Sequence, residues 1–141
     1  MSVKATKLLS NHKLRKTDMR LSVLQLFMQT PGKAITQNDL DDAIENADRI
    51  TLYRTLKTFE ENGIIHQAVD GTGTTKYALC NSHSCADHKH FDNHAHFLCN
   101  QCGATLCLDE RMNPNIEAPK GYEVEESYLV LKGKCEECVN A

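Results

Sequence analysis

Between His94 and Cys107 the chain reads HAHFLCNQCGATLC. Imidazole and thiolate are the side chains that bind zinc most often, and this run holds both. Read as a strand, it sends His94, His96 and Leu98 to one side and Phe97 and Cys99 to the other. The histidine pair and the Cys99-x-x-Cys102 pair then point in different directions, so two metal sites are expected rather than one. A second pair, Cys135-x-x-Cys138, lies near the end of the chain. Two such knuckles make a closed tetrahedral thiolate site. The spacer between them is longer than in a compact zinc ribbon, but a strand pair can span it. Cys99, Cys102, Cys135 and Cys138 are therefore read as structural zinc ligands that pin the C-terminus back onto its module. The rival use of such pairs is thiol redox chemistry.

For a second ion, His94 and His96 share a strand face and could chelate. Three further soft ligands remain in Cys80, Cys85 and Cys107, and His66 sits on an earlier predicted strand. A mixed imidazole and thiolate set prefers Zn²⁺, whereas Fe²⁺ or Mn²⁺ wants more oxygen ligands.

The 141 residues suffice for one ordinary domain or two small ones. The core is modest, with no Trp and only four Phe, and metal is a natural staple for it. The first twenty residues carry Lys4, Lys7, Lys13, Arg15, Lys16 and Arg20 without an apolar stretch, which reads as no signal peptide. No apolar run is long enough to span a membrane. Seven cysteines, an odd count, fit a reduced cytoplasmic metal protein better than a disulfide framework. The net charge of −3 alone opposes nonspecific nucleic-acid binding. Its distribution does not, because basic residues gather at the N-terminus and again at Arg49, Arg54 and Lys57.

Several elements must position these residues. A short helix is expected over residues 2–12, then a basic linker. Thr17 reads as the N-cap of a helix with Leu21, Val23, Leu24, Phe27 and Met28, ending before Pro31-Gly32. Thr36 and Asp39 resemble a capping box opening a helix that faces Leu40, Ala43, Ile44 and Ala47 inward. A third helix runs from about Arg49 to Asn62, with Leu52, Leu56 and Phe59 buried and Gly63 as its stop. Its other stripe holds Thr51, Arg54, Thr55 and Thr58, hydroxyls and a guanidinium with no carboxylate, suited to phosphates and base edges. Strands at Ile64–Val69 and Thr74–Leu79 flank Asp70-Gly71-Thr72-Gly73 as a hairpin. This order is that of a winged helix-turn-helix, whose last helix enters the major groove. Residues 81–93 read as a polar linker carrying His83, Cys85, His88 and His90. Beyond it come strands near Ala95–Cys99 and Ala104–Leu108, a proline-containing loop at 113–121 and a long strand over Tyr122–Leu131.

On ADRITLYRTLKTFEENGII, the glycine hairpin ending KYALC, HAHFLCNQCG and the terminal CEEC, the chain resembles the ferric uptake regulator family, and its zinc uptake branch most. The resemblance covers nearly the whole chain. It implies an α+β fold: a winged-helix DNA-binding domain at 1–80, a His-rich hinge at 81–93, and a small zinc-binding α/β dimerisation domain at 94–141. It also implies a homodimer that binds palindromic operators in double-stranded DNA. By this comparison Cys80 is the cysteine that follows the hairpin in zinc sensors, and the regulatory ligands are His66, Cys80, His94 and His96. Cys107 stands where a ligating Glu is common and could replace His66. Ala34 and Ala78 stand where iron sensors have a His and a Glu. Asn93 and Ala95 replace the His and Asp of a further site, and Pro114 and Pro119 interrupt the dimerisation helix.

The expectation is a zinc-responsive transcriptional repressor of metal uptake genes with two Zn²⁺ per protomer. Tyr53 and Arg54 are the expected base or phosphate contacts, with Arg49, Thr51, Thr55 and Lys57 on the same helix. Arg15 and Lys16, with Arg20, would reach backbone or minor groove. The nearest alternative is an iron-, manganese- or peroxide-responsive regulator of the same architecture. A zinc hydrolase or deaminase needs a general base, and no Glu is placed beside His94 or His96 to supply one. A thiol-switch protein is the third class.

Overall fold

The computed structural model describes residues 3–79, 95–108, 117–125 and 128–141. Cys80, the linker residues His83, Cys85, His88 and His90, Asn93, His94, and Pro114 of the proposed helix interruption lie outside these residues.

Four helices and a three-stranded sheet build the N-terminal part. The helices are α1 (Val3–Asn11), α2 (Asp18–Gln29), α3 (Gln37–Ala43) and α4 (Arg49–Glu61). Local chemistry sets their ends. The Thr17 hydroxyl accepts from Arg20 N–H and caps α2. Thr36 and Asp39 exchange both bonds of a capping box at α3 (3.0 and 3.1 Å), so Asp serves there in place of Glu. Asp48 accepts from Thr51 N–H at the start of α4, and its carboxyl is held below the usual range, chiefly by the Thr51 hydroxyl. Asn46, at φ 58°, turns the chain between α3 and α4 in a conformation Asn tolerates well. Gly63, at φ 73°, ends α4: its N–H reaches Glu60 O and the next N–H reaches Phe59 O, a Schellman stop.

The α4 face of Leu52, Leu56 and Phe59 packs with Leu24 and Phe27 of α2, Leu9 of α1, Leu40 of α3 and Ile65 of the sheet. Each such side chain contributes roughly 1.5–3 kcal/mol when fully buried. Helix α3 is shorter than its apolar spacing predicts. It stops at Ala43, which is exposed, and Ile44 is already extended.

Strands β1 (Ile35–Thr36), β2 (Ile65–Gln67) and β3 (Lys76–Leu79) form one antiparallel sheet in the order β1-β3-β2. The hairpin strands are shorter than expected, and 68–75 forms a wide connection. A second sheet contains β4 (Ala95–Cys99), β5 (Thr105–Cys107) and β6 (Leu129–Gly133), in the order β5-β4-β6. Strand β5 is antiparallel to β4 and β6 is parallel to it. The long strand expected over Tyr122–Leu131 is therefore corrected to Leu129–Gly133. Residues 122–125 carry no strand, and Val124 is exposed. A one-turn helix, α5 (Glu136–Val139), holds the last cysteine.

The two sheets touch directly. Ala34 N–H donates to Thr105 O (2.8 Å) and Cys107 N–H to Gly32 O (2.7 Å), with Lys33 bridged to Leu106. The segment before β1 thus adds to the β5 edge.

Candidate metal centres and nucleic-acid interface

Two groups of ligating side chains stand apart in the structure. The four sulfurs of Cys99, Cys102, Cys135 and Cys138 lie within 4.8 Å of one another. Cys99 closes β4, Cys102 follows in the turn to β5, Cys135 precedes α5 and Cys138 lies within it. Cys99 to Cys138 is 3.7 Å and Cys102 to Cys135 is 3.8 Å. A tetrahedral ion with Zn–S bonds of about 2.3 Å needs sulfurs about 3.8 Å apart. Those spacings fit zinc and are far too long for a disulfide. The N–H groups of Cys102 and Cys135 each donate to Cys99 Sγ at 3.4 Å and draw its thiol down to about 6. Cys138, hydrogen-bonded to Cys135 and shielded from water, is pushed up to about 12.

The second group is His66, His96 and Cys107, again within 4.8 Å of one another. His66 lies on β2, in the winged domain. His96 on β4 and Cys107 on β5 are register partners in the other sheet. Cys107 Sγ is 3.5 Å from His66 Nε2, against about 3.6 Å for one N and one S on a tetrahedral zinc. The two imidazole rings are 6.4 Å apart at their centroids. His66 and His96 are buried. Cys107 stands beside His66, and both face His96. Ala34, Ala68 and Ala78 pack together against Cys107. Ala34 and Ala78 therefore present only methyl groups here. Cys80 and His94, the other expected ligands, lie outside the described residues.

Helix α4 displays Arg49, Ile50, Thr51, Tyr53 and Arg54 to solvent. Arg49 donates to Asn38 Oδ1 (3.2 Å) and its carbonyl accepts from Gln37, which ties α4 to α3. Lys57 sits 5.5 Å over the Tyr53 ring and pairs with Glu60. One expected contact is overturned. Thr55 is only 6% exposed, and its hydroxyl donates to Thr51 O (2.8 Å), so it belongs to the core side of the helix. Arg20 is also partly committed, donating to Arg15 O (2.8 Å) and bracing the linker, while Arg15 and Lys16 are exposed. Ile50, 63% exposed beside Arg49, is a surface residue the sequence pattern passed over. An apolar side chain outside the core stripe and next to arginines was the available signal.

A winged helix joined to a second sheet, with His66, His96 and Cys107 gathered at the junction, has the form of a DNA-binding protein able to hold a metal between its parts. The family model "Ferric uptake regulator family" matches residues 11–132, and the chain belongs to that family. Its members are transcription regulators, not enzymes, and they bind DNA as dimers. The ferric uptake regulation protein of Bordetella parapertussis is 28% identical over 141 residues, covering 92% of this chain and 93% of that protein. The Vibrio cholerae ferric uptake regulator superposes with a TM-score of 0.63 at 24% identity, covering 92% of this chain and 98% of the other. A zinc uptake regulator complexed with zinc and DNA gives 0.62 at 27% identity, with 97% and 91% covered. Among the described residues no helix is long and apolar enough to cross a membrane.

Proposed function

We propose that this chain is a zinc-responsive repressor of metal uptake genes, acting in the cytoplasm as a homodimer on a palindromic operator. Cys99, Cys102, Cys135 and Cys138 hold a structural Zn²⁺. His66, His96 and Cys107 hold a regulatory one, with Cys80 or His94 available as a fourth ligand. The observation that carries this reading is the meeting of His66 with His96 and Cys107, because the three donors come from both sheets. Filling the site ties the winged domain to the other module. It favours the arrangement whose two α4 helices match operator half-sites, by as much as the ion prefers that arrangement. Two imidazoles and a thiolate walled by alanine methyls make a soft set, which favours Zn²⁺ over Fe²⁺ or Mn²⁺. Tyr122, Val124, Tyr128 and Leu131 remain exposed and offer apolar area for a second copy.

The test is operator binding titrated against buffered free Zn²⁺, Fe²⁺ and Mn²⁺. Zn²⁺ should activate at the lowest free concentration. Activation by Fe²⁺ or Mn²⁺ alone would assign the chain to an iron or manganese regulator.

The DNA face gives its own expected result. Arg54→Ala should weaken operator binding by about 1–3 kcal/mol if it reads a base edge, or lower the salt slope by about 1 if it holds a phosphate. Metal content should not change. Thr55→Val should leave affinity within about twofold, since its side chain faces inward. Unchanged affinity in Arg54→Ala at several salt concentrations would remove this face of α4 from the DNA surface.

A further inference from the structure

Beside the His66 group lies a second cluster that no metal role absorbs. Asp70, in the connection between β2 and β3, is 2% exposed. Its Oδ2 accepts from Lys76 Nζ (2.6 Å) and from Thr105 Oγ1 (2.7 Å), and Lys76 Nζ also donates to Thr105 Oγ1 (2.8 Å). The triangle is closed. Asp70 Oδ1 is taken by the Thr72 N–H (2.9 Å) and hydroxyl (2.6 Å), so the carboxylate is satisfied at both oxygens. Asp70 and Lys76 belong to the winged domain, and Thr105 to β5. A buried ion pair stabilises little unless its remaining hydrogen bonds are made, and here each bond that completes the pair comes from a threonine, one of them across the domain junction. Burial alone would raise the Asp70 carboxyl. The hydrogen bonds from Lys76, Thr105 and Thr72 outweigh it and hold the group well below the usual carboxylate range.

Position gives the cluster its role. Thr105 lies two residues before Cys107 on the same face of β5, and its carbonyl accepts from Ala34 N–H. Lys132 of β6 also approaches, its Nζ 3.9 Å from where a side chain on Gly71 would begin. We propose that Asp70, Lys76 and Thr105 form a metal-independent latch across the domain junction, presenting His66 to His96 and Cys107 before an ion arrives. They are positioning residues: none belongs to the His66 group, and Asp70 and Thr105 are buried. By raising the population of the competent arrangement, the latch lowers the zinc concentration at which the repressor responds, since apparent affinity scales with that population. This last consequence rests on the regulatory-site reading above; the latch itself does not.

Amide exchange by NMR on the dimer carrying only its four-cysteine zinc tests it. The reporters are the Ala34 and Cys107 N–H groups, which donate across the junction. The controls are Ala68 N–H, bonded within the first sheet, and Cys99 N–H, bonded within the second. Thr105→Val should speed exchange at Ala34 and Cys107 by about tenfold or more, leave both controls unchanged, and be rescued by Thr105→Ser. Unchanged reporters would overturn the latch. A parallel rise at Cys99 and Ala68 would overturn it too, by reducing Thr105 to a general structural role. In a second arm, Thr105→Val should move the zinc midpoint for operator binding up by about tenfold with the same saturating affinity. A parent protein indifferent to zinc would fail the regulatory-site reading while leaving the exchange result intact.

Discussion

Cys135→Ser is expected to strip the structural zinc and unfold the second sheet, and Cys99→Ser should do the same. Closed zinc sites supply roughly 10–16 kcal/mol of apparent binding free energy, comparable to or larger than the roughly 5–15 kcal/mol stability of a typical domain. Losing one of four thiolates forfeits much of it. Cys135 also makes a clean control of its own chemistry. It occupies the N-cap of α5 without a side-chain cap bond. Serine is a favoured N-cap residue, so the substitution gives the short helix a better start and any loss of stability traces to the metal. Cys99 accepts two backbone N–H bonds, and a hydroxyl there can accept them as well. Zinc counting with thermal unfolding checks the result. A variant that stays a well-folded dimer with the parent's zinc content would break the four-cysteine assignment.

His96→Ala should do the opposite: keep the four-cysteine zinc and lose the metal response. His96 alternates along β4 with the side chains that lead to Cys99, so the two centres share a strand but not a ligand. Its imidazole is wholly buried, and removing it leaves a cavity that costs some thermal stability. Cys107→Ser is the gentler companion, a near-isosteric change that removes the soft donor. Allosteric coupling typically amounts to about 1–3 kcal/mol, so metal-stimulated operator binding should fall by about 5–150-fold in both variants. Bound zinc should drop by one per protomer and no further. If both variants respond to zinc like the parent, the His66 group is a packed polar cluster and the regulatory ion lies elsewhere. If both lose all zinc and unfold, the division into structural and regulatory sites fails.

Local features were the most legible in the sequence. Thr17, Thr36 with Asp39, and Gly63 act within four residues of themselves, and each sits where its chemistry demanded. The knuckle pairs were legible for the same reason, although nothing local shows that they meet. Thr55 was misplaced because hydroxyl character outweighed geometry. It lies three residues after Leu52 and four before Phe59, at the edge of the buried face, and the backbone carbonyl of Thr51 satisfies its hydroxyl there. The over-long final strand had another cause. Apolar alternation continued through Val124 and Tyr128, but among the described residues β6 finds a ladder partner only from Leu129, opposite Ala95. Asp70 read as a turn residue with Gly71 and Thr72, and it does bond Thr72. Its burial arises because β5 docks on the hairpin, a pairing 35 residues away in the chain that no local pattern reveals. The approach of Cys107 to His66 depends on that same docking, which is why the sequence alone left Cys107 as a substitute for His66 and not its neighbour.

The central claim is that one ion, held by side chains from both sheets, sets DNA affinity while the four-cysteine ion sets the fold. Operator affinity measured as zinc is added to the dimer already holding one zinc per protomer tests this most directly. The account predicts that affinity rises in step with the second equivalent and then saturates. Full operator affinity at the first equivalent, or a second equivalent that binds without changing affinity, would contradict it.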